Sequence, residues 1–365
     1  MKVSASQMFW LMFIALTSLS LWYVISPTVK IADQGAWMSA VVATVLGLFF
    51  SYVIQQLGLL FPHQTIFEYS RTLLGNALGQ IVSIQYLCML CVTSAIQLRG
   101  TSDLIHRVLF DKTPIFVLVA LIMFLVVYLT FRGGIEGIGR FGELVGPVIL
   151  ITILITWFLD LPNAKWHALS PLVSDSGVRG ILQGSTPFAS AFGVSLGFLV
   201  FIPLMVTPKK SIMAGTLGLL SASVLVIWCM LMTIVTFGYE LSGRLVDPYF
   251  SLVRFVSLFE FVRNIDSVVV FIIVFGAFTA VSLYFFITCY GVAKWLNMKA
   301  WRRTIWFVAP LECIIALLPS SDTASWFWYP QHVWLTYIFP FDIICLPLLL
   351  LCIAKMKVWT ASSNR

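Results

Sequence analysis

The stretch STPFASAFGVSLGFLVFIP, residues 185–203, decides how the rest of the chain is interpreted. It is apolar and long enough to cross a bilayer as a helix, yet Gly193, Ser195 and Gly197 lie in its middle. Glycine costs about 1 kcal/mol against alanine in a helix interior, so these residues predict a local break, a close helix contact, or both. A broken helix in lipid needs protein or a cavity to cover its free backbone groups. Such groups bind small ligands well, whereas helix packing is the alternative explanation.

The composition is that of a membrane protein. Of 365 residues, 60% are hydrophobic and 10% are charged, and the mean hydropathy is +0.99, whereas soluble domains are about 25% charged. The net charge of +7 requires no nucleic-acid partner, because Lys and Arg accumulate in cytoplasmic loops. The seven cysteines lie in or beside apolar segments and predict buried thiols without disulfides. No cleavable signal is expected, because the first apolar segment is long and ends at Ser26-Pro27.

Hydropathy predicts ten membrane helices, near residues 7–26, 34–60, 81–109, 114–131, 144–159, 185–203, 212–239, 265–292, 305–318 and 333–353. Two further stretches, residues 61–80 and 247–264, mix apolar and charged residues at helical spacing. We expect them to be amphipathic helices on the membrane face. Thr17, Ser18 and Ser20 occupy the same relative place in the first helix as the expected break in the sixth.

Three short motifs have the letters of a known site without its context. Residues 137–142 match a dinucleotide fingerprint, but they fall in a predicted loop, residues 132–143, with no preceding strand. Residues 193–197 match a nucleophile elbow, which requires a strand–turn–helix and a triad histidine. Cys88 and Cys91 have metal spacing but no second pair. The sequence therefore supports no enzyme class, no metal site and no cofactor.

The ten predicted helices divide into two similar halves. Each half has an interrupted helix, a long helix, an amphipathic connector and three further helices. This order predicts a 5+5 inverted repeat, with residues 1–160 and 185–365 as the two repeats and residues 161–184 as the connector. With the N-terminus inside, inner segments hold thirteen of the 22 Lys and Arg residues. Both termini are therefore predicted to be cytoplasmic.

Short segments along nearly the whole chain share their order and spacing with one family: Phe61-Pro62, Phe67-Glu68-Tyr69, Leu74-Gly75, Arg99, Thr113-Pro114, Gly133-Gly134-Ile135 with Arg140, Leu169-Ser170-Pro171, and Pro203 to Lys210. On these residues the chain resembles the B subunit of the Ger-type (GerAB-type) spore germinant receptors, a branch of the amino acid–polyamine–organocation superfamily. The resemblance implies an all-α, LeuT-like membrane fold and a nutrient sensor in the spore inner membrane. It also implies germinant receptor A and C subunits as partners, the C subunit being a lipoprotein.

LeuT-type geometry implies a pocket between the breaks in helices 1 and 6, with helices 3 and 8 as walls. The implied ligand-binding residues are Thr17, Ser18, Leu19, Ser20 and Trp22 on helix 1, Thr93 and Gln97 on helix 3, Phe192, Gly193, Val194 and Ser195 on helix 6, and Thr279, Ala280 and Tyr284 on helix 8. No charge is predicted in this pocket, which favours a neutral or zwitterionic ligand whose carboxylate binds backbone N–H groups. Arg99 is expected to form a structural ion pair with Asp103, four residues further on.

Three functions remain open on these observations. The first is a ligand-sensing receptor subunit that binds a small nutrient, most simply an amino acid. The second is an amino-acid permease of the same fold, which needs the same site together with a gated path to both sides. The third is a scaffold that holds the A subunit and binds no ligand.

Overall fold

The computed structural model describes residues 2–170, 177–257, 265–319 and 330–363, and within these ranges the chain is helical. Its α-helices are α1 (Ala5–Tyr23), α2 (Ile25–Ala32), α3 (Ala36–Leu60), α4 (Ile66–Leu74), α5 (Asn76–Val108), α6 (Ile115–Asp160), α7 (Gly177–Ala191), α8 (Phe198–Phe201), α9 (Pro208–Phe237), α10 (Tyr239–Arg244), α11 (Pro248–Ser257), α12 (Ile265–Trp295), α13 (Ile305–Leu317) and α14 (Leu346–Ser363). Short 3₁₀ segments span Asp33–Gly35, Leu161–Asn163, Trp166–Leu169, Phe192–Gly197, Ile202–Leu204 and Trp301–Thr304, and a π-helical segment spans Pro330–Cys345.

Seven helical segments of the described ranges are long and apolar enough to cross a membrane: Ile25–Leu60, Asn76–Val108, Ile115–Asn163, Gly177–Leu204, Pro208–Phe237, Val274–Trp295 and His332–Lys357. A shorter apolar helix, Ala5–Leu21, accompanies them. The predicted all-α integral membrane class is confirmed, whereas the count of ten separate helices is not.

The loop predicted at residues 132–143 is wrong, because this stretch is helical. It lies inside α6, which has 46 residues and is kinked at Gly134, so the helical stretches before and after the kink are about 29 Å and about 39 Å long at 1.5 Å per residue, each enough for one crossing of a bilayer. Gly134 alone leaves the helical conformation, at φ 53° and ψ −152°. Glycine reaches positive φ without a steric penalty, so one residue replaces the expected loop between predicted helices 4 and 5.

The first predicted helix is interrupted near the expected place. α1 ends at Tyr23, and Val24 joins it to α2 with its N–H still bonded to Ser20 O. Pro27, early in α2, has no N–H, so the Tyr23 carbonyl loses its usual partner four residues on. The joint therefore follows from local sequence chemistry.

The second interruption lies in the stretch that opened the sequence analysis. α7 ends at Ala191, residues 192–197 form a 3₁₀ helix, and α8 then resumes for one turn. A 3₁₀ stretch within a helix often marks a hinge or a strained sequence. The predicted break in helix 6 is therefore present as a change of helix type.

Close approaches at glycines bring the interrupted helices against their neighbours. A Cβ atom built on Gly218 of α9 would lie 2.3 Å from the Phe9 carbonyl oxygen of α1. A Cβ on Gly47 of α3 would lie 2.2 Å from the Phe192 ring. Small residues allow helices to pack this closely in membranes. α9 therefore packs closely on the first interrupted helix and α3 on the second.

A short parallel bridge joins the chain ahead of α1 to the end of the second interrupted helix. Val3 pairs with Met205 in this bridge. Val3 N–H donates to Leu204 O at 2.8 Å, and Val206 N–H donates to Val3 O at 3.1 Å. The two interrupted helices are thus hydrogen-bonded at one end of the bundle.

The first predicted amphipathic helix is present as α4. It begins with a capping box between Thr65 and Glu68, and Lys294 Nζ lies 3.0 Å from Glu68 Oε1. Burial opposes ionisation of Glu68, but hydrogen bonds from Thr65 and Lys294 outweigh it and lower the pKa of this carboxyl. α4 is therefore fixed to the last turn of α12. Of the second amphipathic stretch, α11 covers Pro248–Ser257, and residues 258–264 lie outside the described ranges.

The cysteines agree only in part with the prediction of buried thiols. All seven are free: Cys91, Cys229 and Cys289 are buried, Cys313 is half-buried, and Cys88, Cys345 and Cys352 are exposed. The exposed three lie on apolar helices, where hydropathy alone does not distinguish an interior face from one that meets lipid.

Candidate ligand-binding site

A cavity lies where the two helix interruptions meet the middle of α5. It is lined by Leu19, Tyr23, Val24 and Pro27 of the first interruption, Thr93, Ile96 and Gln97 of α5, Pro187, Ser190 and Ala191 of α7, and Trp334 and Leu335 of the π-helical segment. The centres of water-sized spheres can occupy about 60 Å³ of it. One water needs about 10–15 Å³ on this measure, so the cavity has room for a group the size of about four to six waters.

Two prolines shape the walls of the cavity. Pro27 and Pro187 each lack an N–H, so the carbonyls of Tyr23 and Gln183 lose the donor that an unbroken helix would supply. Ser190 Oγ donates to Pro187 O at 2.7 Å and so stays on the proline-bearing turn. Proline therefore opens the backbone hydrogen-bond pattern at both interrupted helices.

Among the residues that the structure describes, the lining carries polar but no charged side chains. Thr93 Oγ1 donates to Met89 O at 2.7 Å, which leaves its lone pairs available as acceptors. Gln97 lies one turn further along α5 and is 4% exposed. Leu19, Ile96 and the Trp334 ring supply apolar surface. Such a lining suits a small neutral or zwitterionic molecule.

Three of the residues nominated from sequence line the cavity: Leu19, Thr93 and Gln97. Thr17, Ser18 and Ser20 are buried in α1 beside it, and the hydroxyls of Thr17 and Ser20 have no hydrogen-bond partner. Trp22 belongs to the last turn of α1.

The nominated helix 6 residues follow directly after the lining residues of α7. Phe192, Gly193, Val194 and Ser195 are all buried in the 3₁₀ segment. Phe192 packs against Gly47, and the Ser195 hydroxyl has no hydrogen-bond partner.

The nominated helix 8 residues are buried in α12 and do not line the cavity. Thr279 Oγ1 donates to Phe275 O at 2.8 Å, whereas the hydroxyl of Ser282, on the same helix, has no partner. Ala280 and Tyr284 complete this set. Buried hydroxyls in α1, the 3₁₀ segment and α12 therefore have no hydrogen-bond partner among the described residues. The nominated site as a whole stays a prediction.

Several lining residues were missed by sequence reasoning. Pro27 and Pro187 carried a usable signal, since each marks a lost helical hydrogen bond. Trp334 and Leu335 carried none, because only the packing of the last helix brings them to the cavity.

Buried carboxylates outside the cavity were also missed. Asp342 is fully buried in the π-helical segment, where Gln85 Nε2 donates to its Oδ2 at 3.3 Å and Tyr86 OH donates to its carbonyl at 3.0 Å. Glu312 is fully buried in α13. These two buried acids do not belong to the described lining of the cavity, and they show that the bundle interior as a whole is not free of ionisable groups.

A polar cover joins α2 and α5 to the segment before α11. Ser26 Oγ donates to Leu245 O at 2.5 Å, and Arg107 Nη2 lies 3.1 Å from Asp247 Oδ2. Burial raises the pKa of Asp247 although Arg107 opposes the shift. Since α2 and α5 both line the cavity, this cover ties two of its walls together.

The arrangement of interrupted helices is that of a known transporter fold. MhsT in complex with L-phenylalanine is similar with a TM-score of 0.66 and 10% identity, over 87% of this chain and 80% of that one. A Na⁺-coupled sialic acid symporter in a substrate-bound outward-open state is similar with a TM-score of 0.63 and 12% identity, over 92% and 79% of the two chains. The chain therefore has the LeuT-like fold of secondary transporters.

Sequence comparison identifies the family within this fold. A family model described as "Spore germination protein" matches residues 2–325, so the chain belongs to that family. It is 24% identical over 293 residues to spore germination protein YndE of Bacillus subtilis, covering 80% of this chain and 77% of that protein. It is also 24% identical to spore germination protein KB of the same organism, over 74% and 73% of the two chains. The chain is thus a GerAB-type, permease-like membrane protein and not an enzyme.

Proposed function

We propose that this protein is the ligand-sensing subunit of a spore germinant receptor, and that it binds a small nutrient, an amino acid, between its two interrupted helices. The observation that carries the proposal is a cavity lined by the first interruption, by the end of α7 next to the second interruption, and by α5, with no charged side chain among its described lining residues. Family membership supports a role in germination, and the fold supports small-molecule binding at this place.

The chemistry of the walls supports a zwitterion with a small side chain. The hydroxyl oxygen of Ser190, which lines the cavity, suits an ammonium group as a hydrogen-bond acceptor. Backbone N–H groups at the interrupted helices suit a carboxylate, with Thr93 and Gln97 as side-chain partners. The cavity offers about 60 Å³ to the centres of water-sized spheres, which favours few heavy atoms beyond the amino-acid backbone.

The biological setting belongs to the same proposal. The relatives are spore germination proteins, which supports a receptor complex in the spore inner membrane with A and C subunits. Both termini are proposed to lie in the cytoplasm, on the distribution of Lys and Arg along the sequence.

An amino-acid permease is the second candidate, because the structurally similar proteins are transporters. Uptake of radiolabelled amino acids into vesicles containing the purified chain separates the two candidates. Saturable uptake supports a permease, whereas binding without uptake supports a sensor.

The test of the site is a germination dose–response to a panel of amino acids, with membrane abundance measured alongside. Ala191→Phe fills the cavity and is expected to raise the half-maximal concentration at least tenfold. Ala120→Phe adds the same ring on an exposed face of α6 and serves as the matched control. Equal responses of the two variants at normal abundance would place the ligand elsewhere.

A further inference from the structure

Glu312 is a fully buried carboxyl in the seam between α13 and α5. Ser94 Oγ of α5 donates to its Oε2 at 2.6 Å, and its Oε1 has no hydrogen-bond partner. Among the described residues, no lysine or arginine forms an ion pair with it. The carboxyl is therefore held by a single hydroxyl.

The groups that face Glu312 do not supply a positive charge. Thiols approach it from three helices: Cys91 of α5, Cys289 of α12 and Cys313 of α13. α6 contributes apolar side chains to the same cluster, among them Val119 and Ile122. Burying an ionised carboxylate in such surroundings costs far more free energy than burying a neutral carboxylic acid. Glu312 is therefore protonated in this conformation.

Arg99 is a cation on the same seam between α5 and α13. It follows Ser94 by five residues on α5, and its Nη1 donates to Ala316 O at 3.2 Å. Ala316 lies four residues after Glu312, on the same face of α13. Arg99 is bound to Asp103 in this state. Two hydrogen bonds thus connect α5 to α13: one joins Ser94 to the neutral Glu312, and the other joins the Arg99 guanidinium to Ala316, one helical turn further along.

We propose that Glu312 is a proton-binding site whose occupancy sets how α5 presents its cavity-lining side chains. Ser94 is the immediate neighbour of Thr93 and lies three residues before Gln97, and both of these line the cavity. With the proton bound, Glu312 holds Ser94 and the seam is closed. When the proton passes to water, the remaining anion draws in water or the Arg99 guanidinium. α5 then shifts against α13 and carries Thr93 and Gln97 with it.

A buried neutral acid contributes less to stability than an apolar side chain of the same volume would, so packing alone does not explain Glu312. One of its oxygens makes no hydrogen bond, and an apolar side chain of similar volume is often neutral or stabilising in such a place. Ionisable groups inside membrane bundles are expected by default to mark functional sites. These arguments make proton binding the role that fits Glu312.

Proton binding is tested directly by infrared difference spectroscopy of the full chain in lipid vesicles, between acidic and alkaline buffer. The signal is the C=O stretching band of a protonated carboxylic acid. Glu312→Gln is expected to diminish the band. Asp342→Asn, at another buried acid, and Glu240→Gln, at an exposed one, are expected to leave the Glu312 component unchanged. A full-sized titrating band in Glu312→Gln would overturn the proposal.

The link to the cavity, which rests on the proposed function, is tested in spores with a mixture of the twenty proteinogenic amino acids as the probe. The half-maximal concentration of the wild type is expected to change with pH, and that of Glu312→Gln to be independent of pH. Glutamine keeps the size of the side chain and its hydrogen bond to Ser94. Ser94→Ala keeps the acid but removes that bond, so it is expected to shift the midpoint of the pH dependence of the half-maximal concentration. Identical pH profiles in the wild type and Glu312→Gln would overturn the coupling. Failure of wild-type spores to respond to any amino acid would contradict the proposed function alone, because the infrared measurement needs no ligand.

Discussion

Arg99 Nε lies 2.8 Å from Asp103 Oδ1, one helical turn further along α5. The same guanidinium donates through Nη1 to the carbonyls of Ala316 and Pro319, at 3.2 Å each. The Arg99 side chain is 7% exposed and that of Asp103 is fully buried. The structural ion pair predicted from the i, i+4 spacing is confirmed, and its wider role is to join α5 to the C-terminal end of α13.

Arg99→Ala is expected to destabilise the fold by about 3–5 kcal/mol, because it removes the guanidinium that pairs with the buried Asp103 carboxylate. Arg99→Lys should have an intermediate effect, since lysine keeps the charge but loses the planar fork that reaches Asp103 and Ala316 together. Membrane abundance and the thermal unfolding midpoint measure both. Normal abundance of Arg99→Ala with a selective loss of ligand response would instead make Arg99 a ligand-binding residue.

Gly218→Ala is expected to separate α9 from α1 and to lower the unfolding midpoint. Its Cβ would meet the Phe9 carbonyl oxygen at 2.3 Å, and a backbone atom cannot move aside as a side chain can. Overpacking of this kind costs about 1–3 kcal/mol. Gly137→Ala is the matched control, because its Cβ would approach no atom closer than 3.8 Å and alanine favours helix. Equal unfolding midpoints for the two variants would contradict the close packing of α1 on α9.

The Arg107–Asp247 pair gives a prediction that depends on pH. Burial raises the pKa of Asp247. The folded protein therefore loses stability as the pH rises above the ordinary aspartate pKa of about 4 and this carboxyl ionises. Arg107→Ala removes the group that opposes this shift and should therefore destabilise the protein more at neutral than at acidic pH. Thermal unfolding at both pH values measures the difference.

The double variant Arg107→Ala with Asp247→Asn is the control for this pair. It removes the charge that needs a partner, so its stability should recover and lose its dependence on pH. Destabilisation by Arg107→Ala that is equal at both pH values would show that lost packing of the arginine stem dominates.

A fourth prediction distinguishes the observed cavity from the deeper site implied by family resemblance. Gln97→Leu removes an amide that lines the cavity and is expected to raise the half-maximal ligand concentration. Tyr284→Phe removes only a hydroxyl in α12, outside the lining, and is expected to leave that concentration unchanged. The measurement is the germination dose–response at matched abundance. A weakened response of Tyr284→Phe would instead place the ligand against α12, as the resemblance implied.

The features predicted well from sequence are those fixed by neighbouring residues. The break in residues 185–203 follows from its small residues and prolines, and the Arg99–Asp103 pair follows from helical spacing. The glycines around residue 134 suggested a loop because several flexible residues occur together, yet one positive φ angle suffices for the turn. Glycine content alone does not determine how many residues leave a helix.

The parts of the site that sequence did not predict depend on long-range packing. Trp334 reaches the cavity, and Glu312 reaches Ser94, only after the last helices dock on α5. The apolar neighbours of Glu312 in the predicted helix 305–318 mark it as an acid inside a span, but they do not indicate which helix it faces. The direction in which an acidic side chain points is decided by the partner helix.

The bridge between Val3 and Met205 couples the movements of the two interrupted helices at that end of the molecule. Each of its two hydrogen bonds contributes about 1 kcal/mol, which is small beside the energy of docking helices but enough to synchronise them. A displacement of residues 202–206 must pull the start of α1 along or break the bridge first. A fluorophore attached at Lys2 would therefore report movement of residues 202–206 as well as movement of the start of α1. A bulky fusion at the same place would perturb both interrupted helices.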